Sequence, residues 1–167
     1  MFVFLTVCID AMGIGIIVPV MPNLIQELTT LGLDGAAIWG GWLSFSYAIM
    51  QFLFGPIVGN LSDRFGRRPV LLVSLAVLTV DYLIMALAPT LLILFIGRIM
   101  AGVAAATYST CNAYVADVSE PAERAKNFGL LGAGFGVGFV IGPVIGGLVA
   151  EFGTRAPFYA AAGLAFL

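Results

Sequence analysis

Residues 59–68, GNLSDRFGRR, carry four of the chain's sixteen charges, while the runs on either side, residues 36–58 and 69–88, carry one between them, Asp81. This alternation decides the fold class. Hydrocarbon offers no water to backbone N–H and C=O groups, so an apolar run of membrane length closes its hydrogen bonds within itself, as a helix. At 61% hydrophobic and 10% charged residues, the chain has more apolar surface than a soluble domain can hide. Laid across a bilayer it needs no such core, and the charged knot becomes the turn that stays in water.

A crossing takes about 20 apolar residues. The sequence offers six runs, at about 1–22, 36–58, 69–88, 91–115, 127–150 and 156–167, the last only half a crossing. The expectation is an all-α polytopic membrane helix bundle with five full transmembrane helices and an incomplete sixth, forming the front portion of a longer protein. The first run opens without a charged leader, which leaves room for a short segment ahead of it. It contains Asp10 and ends in Pro-Val-Met-Pro rather than a small-residue cleavage site, so it does not read as a signal peptide. Segments 23–35, 116–126 and 151–157 read as loops. Trp39 and Trp42 mark a membrane–water boundary, and Pro69 suits a first helical turn. If the runs alternate, Arg64, Arg67, Arg68, Arg124 and Lys126 share one side and Arg155 takes the other, which predicts a cytoplasmic N-terminus.

Composition also excludes. A net charge of −2 gives no basic surface for nucleic acid. Cys8 and Cys111, with no histidine and no CxxC, read as small core residues and leave no metal site. No HExxH, GxSxG or paired-aspartate motif suggests an intramembrane enzyme.

A repeat is visible. Residues 54–61 read FGPIVGNL and residues 141–148 read IGPVIGGL, at an offset of 87. Runs 1–3 and 4–6 then form two copies of a three-helix unit, and the odd number of spans inverts one against the other.

Asp10, Asp81 and Arg98 lie inside runs, where each costs at least ~2.5–3.5 kcal/mol unless it faces a partner or a wet cavity. Asp81 and Arg98 each lie seven residues from the turn between runs 3 and 4, roughly 10 Å deep at ~1.5 Å per residue. Arg98 can pair with Asp81 or with Asp10. Such a pair suits proton coupling, in which protonation competes with ion pairing, or serves as a fixed pair setting helix register. Arg98, Gly102, Ala105, Ser109 and Asn112 recur at helical spacing as a stripe of small and polar side chains, lining a cavity or a close helix contact. Gln51 is a further polar candidate, for the cavity or for an ordinary interhelical hydrogen bond. Gly134, Gly138, Gly142 and Gly146, with Pro143, form a ladder for close backbone approach and a bend. In the knot, Arg64, Arg67 and Arg68 suffice as a positive anchor, but Asp63 gains nothing from that role and suggests a specific ion pair.

Four segments together resemble the major facilitator superfamily, in its drug/proton antiporter branch. GNLSDRFGRR is similar to the loop 2–3 signature, contributing Gly59, Asp63, Arg64, Gly66, Arg67 and Arg68. LFIGRIMAGVAAA (94–106) resembles the helix-4 signature, departing from it at Ala101. GFVIGPVIGG (138–147) resembles the helix-5 antiporter motif, with Gly138, Gly142, Pro143, Gly146 and Gly147, and GIGIIVPVMP (13–22) the first-helix pattern. IDAMGIGIIVPVMP, SDRFGRRPVLLVSL, VDYLIMALAP, GRIMAGVAAAT and ERAKNFG bring it closer to the bacterial tetracycline/proton antiporters. The resemblance implies the N-terminal six-helix half of such a transporter, in the bacterial inner membrane. It makes Asp10, Gln51, Asp81 and Arg98 membrane-embedded polar positions, and these, with Ser109 and Asn112 of the stripe, are the expected sites for a drug substrate and protons. The drug would be tetracycline carrying Mg²⁺, with no cofactor of the protein's own. It further implies a gate in which Arg67 meets Asp117 while Asp63 faces a C-terminal six-helix half absent from this chain. The alternatives are an antiporter for another amphipathic drug, and a non-transporting half that only packs against a partner half.

Overall fold

The structure, a computed structural model, describes residues 2–29, 32–105 and 107–166. These form eight helices: α1 (Phe2–Ile17), α2 (Met21–Leu28), α3 (Leu33–Phe65), α4 (Arg67–Leu87), α5 (Leu91–Ala104), α6 (Thr107–Val118), α7 (Arg124–Ala150) and α8 (Ala156–Phe166). Four stretches are long and apolar enough to cross a bilayer: Leu33–Phe65, Arg67–Leu87, Leu91–Val118 and Arg124–Ala150. A fifth crossing is broken, Val3–Ile17 and Met21–Leu28 meeting at 48°. The chain is a multi-pass, all-helical membrane bundle.

Several expected loops are helical instead. Residues 23–28, read as loop, belong to α2, because Pro22 near its first turn has no N–H to satisfy there and starts a new helix after the break around Pro19. The second crossing does not end at residue 58. Residues 59–65 extend α3 into water, since polar side chains do not stop a helix, and the chain reverses only at Gly66, whose φ of +95° favours glycine. α4 accordingly begins at Arg67 rather than Pro69. The fourth run, expected as one helix over 91–115, divides at Ala105 and extends to Val118. Of the 116–126 segment, read as loop, residues 124–126 open α7, and only residues 119–123 form a short turn, closed by Asn127 Nδ2 donating to Ser119 Oγ at 2.8 Å.

α1 packs most closely on α7, and α3 on α5; α4 meets α8, and α1 also meets α8 as α4 meets α5. Exchanging runs 1–3 with runs 4–6 interchanges α1–α7 with α3–α5 and α1–α8 with α4–α5 and leaves α4–α8 unchanged, as an inverted repeat requires. α7 approaches α1 along Gly134, Gly138, Gly142 and Gly146, all buried. A Cβ at Gly138 would stand 2.5 Å from the Cys8 carbonyl oxygen, and one at Gly142 2.7 Å from that of Met12. From Gly138 to Gly146 the seam is backbone against backbone, while Gly134 meets the Phe4 ring.

Two apolar clusters hold the bundle. One joins Ile16, Leu24, Leu43, Met85, Leu94 and Phe158; the other, toward the opposite end, joins Val3, Val7, Leu71, Cys111, Val115 and Leu131. Asp10 falls on α1 between the parts that serve the two clusters.

Candidate functional site

Arg98 pairs with Asp81, whose side chain is 1% exposed, and so selects that carboxylate over Asp10. Depth alone allowed either partner. What favours Asp81 is Gly97, where a Cβ would lie 2.8 Å from Asp81 Oδ1, so the missing side chain lets the carboxylate reach α5. On its other side the Arg98 guanidinium lies 5.3 Å from the centroid of the Tyr47 ring, a cation–π contact. Asp10 enters no ion pair or hydrogen bond among the described residues, yet lies within Coulombic reach of Tyr47, Tyr82 and Cys111.

Arg98, Tyr47 and Tyr82 face a cavity of about 350 Å³ walled further by Ile14, Leu43 and Ser44. Asp10 does not line it. Its neighbour one turn on, Ile14, does. Tyr47 and Tyr82 went unremarked in the sequence. Their signal was position: Tyr82 follows Asp81, and Tyr47 precedes Gln51 by one helical turn.

The remaining polar candidates gather elsewhere. Gln51, Gly59, Asp63, Arg67 and Ser109 line a second cavity of about 570 Å³ toward the α3–α4 turn. Gln51 Nε2 donates to the Ala105 carbonyl at 2.6 Å, occupying an acceptor at the break between α5 and α6. That break interrupts the expected stripe. Gly102 faces the Tyr47 carbonyl, at 2.5 Å from a Cβ built there, and Asn112 Nδ2 donates to Tyr108 O of its own helix at 2.8 Å. The stripe is therefore partly a helix contact rather than one wet surface, and Asn112 stands outside both cavities.

At the turn, Arg67 gathers three partners. Nη1 reaches Asp63 Oδ1 at 2.6 Å and donates to Ser62 Oγ at 2.8 Å, while Nε donates to Asp117 Oδ2 at 2.9 Å. A guanidinium suits this fork of acceptors, whereas an ammonium offers only a point charge. The latch joins the ends of α3, α4 and α6. At the opposite end, Arg155 Nε donates to Glu27 Oε1 and Nη1 to the Ala86 carbonyl, both at 2.9 Å. This second clasp ties α2, the end of α4 and the start of α8, and charge counting had given Arg155 no role beyond its side of the membrane. Of the helix-5 motif, Gly138, Gly142 and Gly146 lie in the α1 seam; Gly147 faces open space, and Pro143 packs beside Gly15 without breaking α7. Among the described residues no group of His, Cys, Asp or Glu could hold a metal ion.

The Major Facilitator Superfamily family model matches residues 3–167. The class C tetracycline resistance protein of Escherichia coli is 52% identical over 159 residues, covering 95% of this chain and 40% of that protein. The class G protein of Vibrio anguillarum is 46% identical, covering 98% and 42%, and multidrug resistance protein 2 of Bacillus subtilis is 35% identical, covering 93% and 38%. The chain thus spans about two-fifths of the length of the curated relatives it matches. Among solved structures, the human organic anion transporter MFSD10 (TETRAN) superposes with a TM-score of 0.76 over 98% of this chain and 45% of that one, at 22% identity; at that identity the likeness concerns the fold.

Proposed function

Since the chain belongs to the Major Facilitator Superfamily, we propose that it forms the N-terminal half of a proton-coupled antiporter. The complete transporter exports tetracycline, as its Mg²⁺ chelate, across a bacterial inner membrane by alternating access. The N-terminus and the α3–α4 turn face the cytoplasm in this reading, by the excess of arginine and lysine on that side. A C-terminal six-helix half completes the site, and no covalent reaction is catalysed.

The observation that carries the proposal is that Arg98, which lines a cavity with Tyr47, is paired with Asp81, while Asp10 enters no ion pair among the described residues. Arg98 is neutralised by Asp81, which leaves Asp10 to exchange a proton for a cationic chelate. Either occupant neutralises the same carboxylate, so the two compete, and competition for one group is a physical basis for antiport. Arg67, with Asp63 and Asp117, latches the cytoplasmic end when that gate is closed. Similarity to the tetracycline resistance proteins supports the substrate. Similarity to multidrug resistance protein 2 favours a second reading, export of another amphipathic drug.

Proton-driven uptake of Mg²⁺–tetracycline into inside-out vesicles carrying the full-length transporter tests this. Arg98→Ala is expected to abolish uptake while leaving membrane insertion intact; normal uptake by that variant would remove Arg98 from the mechanism. A lipophilic drug that drives proton exchange where tetracycline does not would select the second reading. Drug resistance scored with and without the second half tests whether this half instead only packs.

A further inference from the structure

Beside the α3–α4 turn, on the outside of the bundle, α3, α4 and α5 enclose an open apolar groove of about 640 Å³. Its walls include Val58 and Phe65 of α3, Pro69, Val73 and Val77 of α4, and Met100 of α5. From Pro69 to Val77 the helix rises ~12 Å at ~1.5 Å per residue, close to the ~15 Å hydrocarbon depth of one leaflet. The groove therefore starts at the membrane boundary and ends near the bilayer midplane, the course of a single acyl chain.

Its mouth is positively charged. Arg67 is committed to Asp63, Asp117 and Ser62, whereas Arg64 enters no ion pair among the described residues. The Arg64 guanidinium lies 5.6 Å from the centroid of the Phe65 ring, and that ring, 65% exposed, lines the groove. A cation held over the entrance of an apolar slot of leaflet depth is complementary to a molecule with a long chain and a phosphate at its head. A guanidinium can engage two phosphate oxygens at once. We propose that the groove binds an anionic phospholipid, with one acyl chain along α4 and its phosphate on Arg64. Any lipid chain can wet the slot; the charge at its mouth selects the anionic one over a zwitterionic lipid, whose own ammonium offsets its phosphate.

The test is native mass spectrometry of the detergent-purified full-length protein with equal amounts of phosphatidylglycerol and phosphatidylethanolamine of identical acyl chains. The protein is expected to retain one phosphatidylglycerol with roughly fivefold preference, the gain typical of one basic side chain at a membrane surface. Arg64→Gln should erase the preference and Arg64→Lys restore part of it. Val73→Trp, which fills the slot, should weaken retention of both lipids. Because Arg64 and Val73 are exposed, these variants should melt with the parent protein, and a melting curve verifies it. Equal retention of the two lipids, or an unchanged preference in Arg64→Gln, would overturn the proposal. So would a photoreactive group at Val73 that crosslinks to polypeptide rather than to lipid, since the occupant would then be a protein segment.

Discussion

Arg98 is held from two sides, by the Asp81 carboxylate and by the face of Tyr47. Taking one partner from a buried pair leaves an uncompensated charge, which typically costs about 3–5 kcal/mol, whereas removing both is far milder. Asp81→Asn should therefore lower the melting temperature of the full-length protein more than the double variant Asp81→Asn/Arg98→Gln does. A double variant as unstable as the single one would mean that Asp81 does not serve Arg98. The sequence revealed that Asp81, Arg98 and Asp10 lie inside apolar runs and are costly there, because a charge in an apolar run is conspicuous. It left Arg98's partner open, because that choice rests on an absent atom, the Cβ of Gly97. It likewise could not divide the polar residues between two cavities. Gln51 and Ser109 lie with the Arg67 latch rather than with Arg98, a consequence of how α3 crosses α5 rather than of any spacing along one helix.

The glycine ladder of α7 was legible as a packing seam because a four-residue period is a local property. Which helix it meets was not, since α1 is more than a hundred residues away. Its members are also unequal. Gly138→Val drives a side chain into the α1 backbone and should destabilise by about 1–3 kcal/mol or more, as overpacking does. Gly147→Val, with nothing within 4 Å of its Cβ, should melt close to the parent; equal losses at the two positions would contradict the seam. The breaks in the first and fourth crossings differ in the same way. Pro19 and Pro22 announce the first, but no proline or polar run announces the second at Ala105. The Arg155 clasp spans three elements, and its ion pair is partly exposed, so Arg155→Ala should cost only about 1 kcal/mol. It should nonetheless speed amide exchange selectively in α2, and unaltered exchange there would show that α2 is held by its apolar contacts alone.

At the scale of the whole molecule, the pairing of helices follows the inverted repeat hinted at by two GPxxG segments. The asymmetry of basic residues predicts the sidedness. Single cysteines replacing Asn60 and Lys126 should react with impermeant thiol reagents only from the cytoplasmic face, and one replacing Glu151 only from the opposite face. Reactivity of position 60 from outside the cell would reverse the orientation. Charge content and run length made the bundle readable because hydrocarbon permits so few backbone solutions; crossing angles and helix breaks escaped because they depend on contacts between distant segments. The α1–α7 seam has one more implication. From Gly138 to Gly146, carbonyls lie directly on glycines and leave no layer of side chains to shear, so these two rods resist sliding as a single beam. The bend around Pro19 lies beyond that beam, so the far end of the first crossing is held separately, by the Arg155 clasp.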